Sequence, residues 1–160
     1  MKSEVLQKQE ARFMEKLQSI DRTYEAYAKA KGLSYMSLEI LEYILEYPDN
    51  CTQKRICALT HYPKQSVNLV IKSFWQDGYV ELNECSADRR NKRILLTERG
   101  KKYAGEMVAP LWRADEKATK ALSDSERDIL LRLLEKYEIA FKRELAPEFC
   151  EDATAASEDS

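Results

Sequence analysis

The sequence predicts a mostly α-helical domain that carries one small β-hairpin. Apolar residues recur at helical spacing over most of the 160-residue chain, which predicts several amphipathic helices. Between residues 79 and 96, two short runs instead alternate apolar and polar residues, as the strands of a half-exposed hairpin do. A chain of this length can bury a core of its own, so we expect one domain.

The first helix is predicted from about Val5 to Lys31, before Gly32, a residue type that often ends helices. Its apolar residues recur at alternating steps of four and three residues and form a narrow, heptad-like stripe. The members of this stripe are Phe13, Leu17, Ile20, Tyr24 and Tyr27. A narrow stripe on so long a helix is typical of dimerisation, although an amphipathic core helix has the same spacing.

Two shorter helices with N-terminal caps are predicted next. Ser34 is placed to cap the first, which is expected to end at Pro48-Asp49-Asn50. Thr52 is placed to cap the second, which is expected to run to about Leu59 and to be followed by a turn at residues 60–62. The expected buried face of the first helix consists of Leu38, Leu41, Ile44 and Leu45, and the apolar positions of the second are Ile56 and Leu59.

A fourth helix is predicted over Lys64–Trp75, with Pro63 in its first turn, where a proline is best tolerated. Its core-facing residues are expected to be Val67, Val70, Ile71 and Phe74. The opposite face is polar and consists of Lys64, Gln65, Ser66, Asn68 and Lys72. Gln and Asn pair with adenine in the major groove, while Ser and Lys contact base edges or phosphates. This face therefore suits DNA, although most polar helix faces are simply solvated.

The alternating runs predict a hairpin with a basic tip. Val80 and Leu82 are expected to face inward from one strand, and Ile94 and Leu96 from the other. The predicted tip carries Asp88, Arg89, Arg90 and Asn91. A cationic tip on a two-stranded projection suits a phosphate-lined groove. Helix, turn, helix and hairpin is the order of a winged helix-turn-helix domain.

Two more helices are predicted after the hairpin. Thr97 is placed to cap the first, in which Gly105 and Pro110 predict a kink or break near Pro110. Ser123-Asp124-Ser125-Glu126 fits a capping box for the second, and Pro147 is expected to end it. That helix has more apolar surface than one small domain needs, at Ile129, Leu130, Leu133, Leu134, Tyr137, Phe141 and Leu145.

Charge is divided unevenly along the chain. Residues 52–102 hold eleven Lys and Arg against five Asp and Glu, a balance of +6 that leaves −8 for the rest of a chain of net charge −2. Such a basic segment is expected of a DNA-binding surface.

Several other classes of protein are not expected. One histidine, four glycines and no nucleophile or phosphate-loop motif predict no enzyme activity, no cofactor and no metal site. The chain has no apolar run of membrane-spanning length and does not begin with a signal-peptide pattern, so we expect a cytoplasmic protein.

Residues Asp88 to Gly100 read Asp-Arg-Arg-Asn-Lys-Arg-Ile-Leu-Leu-Thr-Glu-Arg-Gly and resemble the wing of the MarR family of winged-helix transcription regulators. The resemblance covers residues 33–100 and, by layout only, the flanking helices. It implies that the helix over Pro63–Asp77 reads DNA and that Arg89 and Arg90 approach the minor groove. The predicted wing contacts are Asp88, which helps to hold the tip, Arg89, Arg90 and Lys92. Family members commonly have an arginine where this chain has Leu69, so their base preference does not transfer.

The resemblance implies a dimeric, sequence-specific transcription regulator, here predicted to be a repressor tuned by a small aromatic or lipophilic ligand. Its expected partners are double-stranded DNA with an inverted-repeat operator, a second copy of the chain and a small-molecule effector, but no membrane. The predicted dimer interface consists of Phe13, Leu17, Ile20, Leu133, Tyr137 and Phe141. The predicted ligand pocket consists of Tyr24, Tyr27, Tyr35, Tyr43 and Tyr103, which suit a core or an interface equally well.

The predicted organisation is a single domain over residues 1–149, with the winged core at 52–102, helical dimerisation regions at 1–31 and 104–146, and a disordered acidic tail at 150–160. Two other functions stay open. One is a protein-interaction module without DNA readout, which the acidic remainder of the chain favours. The other is a redox-sensing regulator that uses Cys85, because nearby Arg89 and Arg90 would lower the pKa of its thiol.

Overall fold

The computed structural model describes the backbone of residues 3–85 and 88–155 and the side chains of residues 3–84 and 92–147. Over these residues the chain forms six α-helices and one two-stranded antiparallel hairpin, which confirms the predicted fold class. The elements are α1 (Glu4–Ala30), α2 (Tyr35–Glu46), α3 (Gln53–Thr60), α4 (Lys64–Gln76), β1 (Val80–Cys85), β2 (Asp88–Leu96), α5 (Glu98–Lys120) and α6 (Asp124–Ala155).

The chain divides into two compact units, Met1–Trp112 and Arg113–Ser160. The first unit holds the hydrophobic core, to which α1 to α5 and both strands contribute. Its buried members are Ala28, Leu38, Ile40, Leu41, Ile44, Cys51, Ile56, Val67, Ile71, Phe74, Val80, Ile94, Ala104, Val108 and Leu111. None of the helices in the described part of the chain combines the length and the apolar composition needed to cross a membrane.

The helix starts follow the predicted caps. The backbone N–H of Ser37 donates to Ser34 Oγ at 3.0 Å, and that of Arg55 donates to Thr52 Oγ1 at 3.2 Å. The N–H of Gly100 likewise donates to Thr97 Oγ1 at 2.9 Å. Each hydroxyl satisfies a backbone donor that has no partner inside its helix, which is why Ser and Thr favour these positions.

The predicted capping box is present at the start of α6. The N–H of Ser123 donates to Glu126 Oε2 at 2.8 Å, and the N–H of Glu126 donates to Ser123 Oγ at 3.4 Å. The hydrogen bond from the Ser123 backbone lowers the pKa of the Glu126 carboxyl, because it stabilises the charged form. The start of the last helix is therefore encoded by four consecutive residues.

Both prolines that were expected to interrupt helices lie inside them. Helix α5 runs unbroken through Pro110, and α6 runs through Pro147 to Ala155. A proline removes one backbone donor, while the turns on both sides keep theirs. In α5 the buried Val108 and Leu111 also fix the two sides of the proline to the core. Residues 150–155 of the predicted tail lie in α6, and residues 156–160 lie outside the described part.

Three apolar residues of α2 and α3 differ in burial from what the helical pattern indicates. Ile40 is fully buried although it lies off the predicted face, and Leu45 is only half-buried. Helix α2 contacts α1, α4 and β2, so it is covered on more than one side. Leu59 is 42% exposed, because α3 has only eight residues and ends directly after it. Pro63 is the N-cap residue of α4 rather than a member of its first turn.

The hairpin has the predicted inward pairs, since Val80 faces Leu96 and Leu82 faces Ile94 across the strands. The register shifts beyond the pair Glu84–Lys92, because the next pair is Cys85–Asp88. Residues 89–91 are thus extra residues on β2, as in a β-bulge. The four residues predicted at the tip lie instead at the start of β2, and their side chains lie outside the described part.

Candidate nucleic-acid interface

Helices α3 and α4 are joined by a tight turn that local hydrogen bonds stabilise. His61 takes a left-handed conformation with φ 57°, and its N–H donates to the Cys57 carbonyl at 2.9 Å. The Thr60 hydroxyl donates to the Ile56 carbonyl at 2.8 Å and accepts the N–H of Tyr62 at 3.2 Å. Ile56 and Val67, one on each helix, are buried in the core. The turn therefore fixes α4 relative to α3, as a helix-turn-helix requires.

A hydrogen bond from Tyr62 links this turn to α2. Its hydroxyl donates to Glu39 Oε2 at 2.6 Å. Burial and this hydrogen bond together raise the pKa of Tyr62, so the phenol stays protonated well above its ordinary range.

The outer face of α4 is exposed and largely polar. Lys64, Gln65, Asn68 and Lys72 are exposed, whereas Ser66 is half-buried. Leu69 lies on the same outer face and is 67% exposed. The inner face holds the buried Val67, Ile71 and Phe74, with Val70 half-buried. The predicted division of the helix into a core face and a polar face is therefore present, with Leu69 as an apolar residue on the polar side.

A cavity of about 540 Å³ lies between α3, α4 and the hairpin, and we call it the basic groove. Its lining residues are Gln53, Lys54 and Cys57 from α3, Lys64, Asn68 and Ile71 from α4, and Leu82, Lys92 and Ile94 from the hairpin. Three lysines from three different elements thus line one concave surface. Such a concentration of positive charge attracts anions, and phosphates in particular.

The structure adds two residues to the surface predicted from the sequence. Gln53 and Lys54 open α3 and line the basic groove beside Lys64. Gln53 Nε2 donates to the Lys64 carbonyl at 2.8 Å and so joins the starts of the two helices. The sequence contained a cue, because Lys54 belongs to the basic segment 52–102 and directly follows the Thr52 cap.

The wing is anchored to the helical core at its base. The Ile94 N–H donates to the Cys51 carbonyl at 2.9 Å, and Thr52 forms a β-bridge with Arg93. The Thr97 hydroxyl donates to the Gly78 carbonyl at 2.7 Å. These contacts set the direction in which the hairpin leaves the core. Of the predicted wing contacts, Lys92 lines the basic groove, while the side chains of Asp88, Arg89 and Arg90 lie outside the described part.

Comparison with known proteins supports this geometry. Residues 31–91 match the sequence model of the MarR family, over a range that begins at the end of α1 and includes α2, α3, α4 and β1. Over this range the chain is similar to the MarR family. The fold is also that of solved MarR family structures, at sequence identities too low to carry more than the fold.

Three solved structures illustrate the likeness. NMB1585, a MarR family regulator from Neisseria meningitidis, has a TM-score of 0.71 at 24% identity, over 88% of this chain and 98% of that one. AbsC, a MarR family transcriptional regulator from Streptomyces coelicolor, has a TM-score of 0.72 at 20% identity, over 89% and 97%. The S. aureus MepR–DNA complex has a TM-score of 0.66 at 16% identity, over 80% and 97%.

The cysteines of this protein differ in exposure. Cys51 is buried, and burial raises the pKa of its thiol to about 11. Cys57 is half-buried and lines the basic groove. The side chains of Cys85, the candidate redox residue, and of Cys150 lie outside the described part.

The five tyrosines predicted to form a ligand pocket are divided between different contacts. The rings of Tyr24 and Tyr35 lie 6.0 Å apart, and the Tyr27 hydroxyl donates to the Met107 carbonyl at 2.7 Å. Tyr43 stacks on Tyr47, with ring centroids 6.2 Å apart. Tyr103 stacks on Tyr79, with ring centroids 4.0 Å apart. None of the five predicted pocket residues belongs to the lining of the basic groove.

Carboxylates lie near two of these tyrosines, Tyr35 and Tyr43. Burial raises the pKa of Tyr35, and Glu39, Asp21 and Glu42 raise it further through their negative charge. The pKa of Tyr43 is raised by burial and by Glu39, Glu42 and Glu46. Carboxylates therefore lie close enough to the Tyr35 and Tyr43 rings to disfavour a negative charge there.

The predicted dimer residues lie on two helices, which belong to different units. In α1, Phe13 and Leu17 are half-buried and Ile20 is 54% exposed. In α6, Leu133, Tyr137 and Phe141 are all exposed, and the last two rings stack with centroids 5.9 Å apart. The same helix also exposes Ile129, Leu130, Leu131, Leu134 and Ile139. Its apolar surface is thus wide.

Proposed function

We propose that this protein is a dimeric, sequence-specific DNA-binding regulator of transcription. The observation that carries the proposal is the position of the basic groove beside the polar outer face of α4. Lys64 and Asn68 belong to both surfaces, and Lys54 and Lys92 extend the positive charge on to α3 and the wing. One surface of the first unit therefore combines groups that bind phosphates with groups that hydrogen-bond to base edges.

The helix-turn-helix geometry explains how both kinds of group reach DNA together. In this arrangement the second helix enters the major groove, and its outer residues meet the bases. Gln65 and Asn68 have the amide groups that pair with adenine N6 and N7. The lysines of the basic groove then lie close to the sugar–phosphate backbone at the edge of the major groove. The fold is also that of MepR, which has been solved in complex with DNA.

Dimerisation is supported by the exposed apolar surface of α6. Leu131 is 65% exposed and Leu133 54% exposed, and large apolar surfaces on soluble proteins usually mark interaction sites. A second copy of the chain, bound to this surface, would place two copies of α4 on DNA by two-fold symmetry. We expect them about 34–36 Å apart, on an inverted-repeat operator.

We further propose that the dimer represses transcription by occupying its operator and that a small aromatic ligand tunes its affinity. The tyrosines near α2, including Tyr24, Tyr35 and Tyr43, supply aromatic contact surface. Because the carboxylates of Glu39 and Glu42 act on Tyr35 and Tyr43, a neutral or cationic aromatic ligand fits this surface better than an anion does.

A selection experiment tests the proposed function. The purified protein is incubated with a random DNA library, bound DNA is recovered and sequenced, and affinity for the selected site is measured by fluorescence anisotropy. We expect an inverted repeat, with a complex of one dimer per site by light scattering. Gln65→Ala and Asn68→Ala should each lose about 1–3 kcal/mol of binding free energy on the selected site. The same variants should lose little on scrambled DNA, which serves as the control.

The outcomes also separate the alternatives. If selection recovers no preferred sequence and the protein does not shift any DNA, the protein-interaction module takes the place of the regulator. If DNA binding appears only under reducing conditions and depends on Cys85, the redox-sensing regulator is the better description.

A further inference from the structure

Leu69 is an apolar residue at the centre of a surface that is otherwise suited to polar contacts. Its side chain is 67% exposed, whereas Val67, Ile71 and Phe74 of the same helix are buried. At 3.6 residues per turn, Leu69 lies about 160° round the helix from Val67, on the side opposite the core. The hydrophobic core therefore does not explain why this position holds a leucine.

The neighbours of Leu69 place it on the face that we propose reads DNA. Gln65 lies one turn before it on the same face, and Lys72 lies nearly one turn after it. Both are exposed. When the polar residues of α4 meet base edges, Leu69 therefore enters the major groove with them.

The major groove offers an apolar side chain one distinctive partner. Thymine carries a C5-methyl group there, whereas the other base edges present hydrogen-bond donors and acceptors. A leucine has no donor or acceptor, so it gains most from a methyl group and loses most against an unpaired polar edge. Gln65 one turn away can pair with adenine, the partner base of thymine. The two residues are thus complementary to a short A·T-containing sequence.

We propose that Leu69 is a specificity-determining residue that recognises thymine through its C5-methyl group. The inference rests on the proposed function, because it assumes that α4 enters the major groove. It extends that function by naming the chemical group that is recognised. It also has a consequence for modified DNA, because 5-methylcytosine presents a methyl group at the same place in the groove. Methylation of a cytosine at this position should therefore strengthen binding relative to unmethylated cytosine.

Replacement of thymine by deoxyuridine tests this directly, since it removes only the methyl group. Each thymine of the selected operator is replaced in turn, symmetrically in both half-sites, and affinity is measured by fluorescence anisotropy. At one position we expect the wild-type protein to lose roughly fourfold in affinity per half-site, the effect of one methyl group leaving a buried contact. Removal of the methyl group from both half-sites should weaken binding about fifteenfold.

The protein variant completes a double-mutant cycle. Leu69→Ala should bind the thymine operator more weakly than wild type and should no longer distinguish thymine from deoxyuridine at that position. Leu59→Ala is the matched control, because Leu59 is also an exposed leucine but lies on α3 and outside the lining of the basic groove. It should keep the full discrimination. Thermal melting confirms that both variants fold.

The results that would overturn the inference differ from those that would overturn the proposed function. If Leu69→Ala discriminates against deoxyuridine as strongly as wild type, or if no thymine methyl group affects binding, Leu69 does not read thymine although α4 still reads DNA. If no operator can be selected at all, sequence-specific binding fails, and the inference fails with it.

Discussion

Gly100 lies directly against the backbone of Tyr79, so that a Cβ atom at Gly100 would be 1.8 Å from the Tyr79 carbonyl oxygen. This contact brings the first turn of α5 against the chain that enters the wing. The Thr97 N–H donates to the same carbonyl at 3.0 Å, so the start of α5 and the base of the hairpin form one unit of structure.

We therefore expect Gly100→Ala to destabilise the protein by about 2 kcal/mol or more, because backbone must shift to admit the methyl group. Gly105→Ala is the matched control. It lies in the same helix, and outside the adjacent residues and backbone of that helix no atom lies within 4 Å of the Cβ that the substitution would add. That variant should instead be more stable, by up to about 1 kcal/mol, through helix propensity. Urea denaturation followed by circular dichroism measures both, and equal effects would contradict the contact.

The hydrogen bond between Tyr62 and Glu39 predicts a pH-dependent stability. The pKa of Tyr62 is raised in the folded protein above its ordinary value of 10.0. The folded state thus holds the phenol proton more tightly than the unfolded state does, so this contribution is complete below pH 10 and is lost as the pH rises further. Tyr62→Phe should lower the free energy of unfolding by about 1–3 kcal/mol at neutral pH. Above pH 10, the stability of this variant should fall less steeply than that of the wild type. Parallel slopes for the two proteins would contradict the assignment.

Local features of the fold were predictable from the sequence because their partners are near in the chain. The caps at Ser34, Thr52 and Thr97 depend on residues three positions away, and the hairpin register depends on alternation within 17 residues, Val80 to Leu96. The effect of Pro110 was not predictable in this way. Whether a proline breaks a helix depends on the burial of its neighbours against distant elements, and the sequence does not specify those contacts.

The candidate site, too, was predictable only where it depends on residues that are near in the chain. The polar face of α4 follows from helical periodicity, so Gln65 and Asn68 were found from the sequence. The basic groove needed the structure, because α3, α4 and the wing together line it. The cavity beside Cys57, and the presence of Gln53 in its lining, depend on the angle at which these elements meet.

The position of Cys57 predicts selective inhibition by a thiol reagent. In a Cys85→Ser, Cys150→Ser background, N-ethylmaleimide at neutral pH should modify Cys57 first. Cys51 is buried, and its thiol pKa of about 11 leaves little reactive thiolate. Because the adduct occupies the basic groove, the modified protein should lose affinity for its operator.

Cys57→Ser in the same background provides the control for this prediction. It should bind the operator normally and keep its affinity after treatment with the reagent. Mass spectrometry identifies the modified residue. Full operator affinity in a protein that is quantitatively modified at Cys57 would show that DNA does not approach this part of the groove.

The lysines of the basic groove predict a defined change in salt dependence. Each lysine that binds a phosphate releases counterions, so affinity falls with salt by a slope that reports the number of phosphates bound. Lys54→Ala should therefore weaken binding to specific and scrambled DNA alike. It should also reduce the slope of log affinity against log salt by about one unit for each phosphate that the variant no longer binds, or about two per dimer.

Lys8→Ala is the matched control, because it removes the same charge from α1, outside the basic groove. Lys8 is exposed and forms an ion pair with Glu4, a kind of contact that contributes little to stability. Both variants should therefore melt near the wild-type temperature and carry the same net charge. If the two reduce affinity and slope equally, net charge alone governs binding. If only Lys54→Ala reduces them, the phosphates are bound at the groove between α3, α4 and the wing.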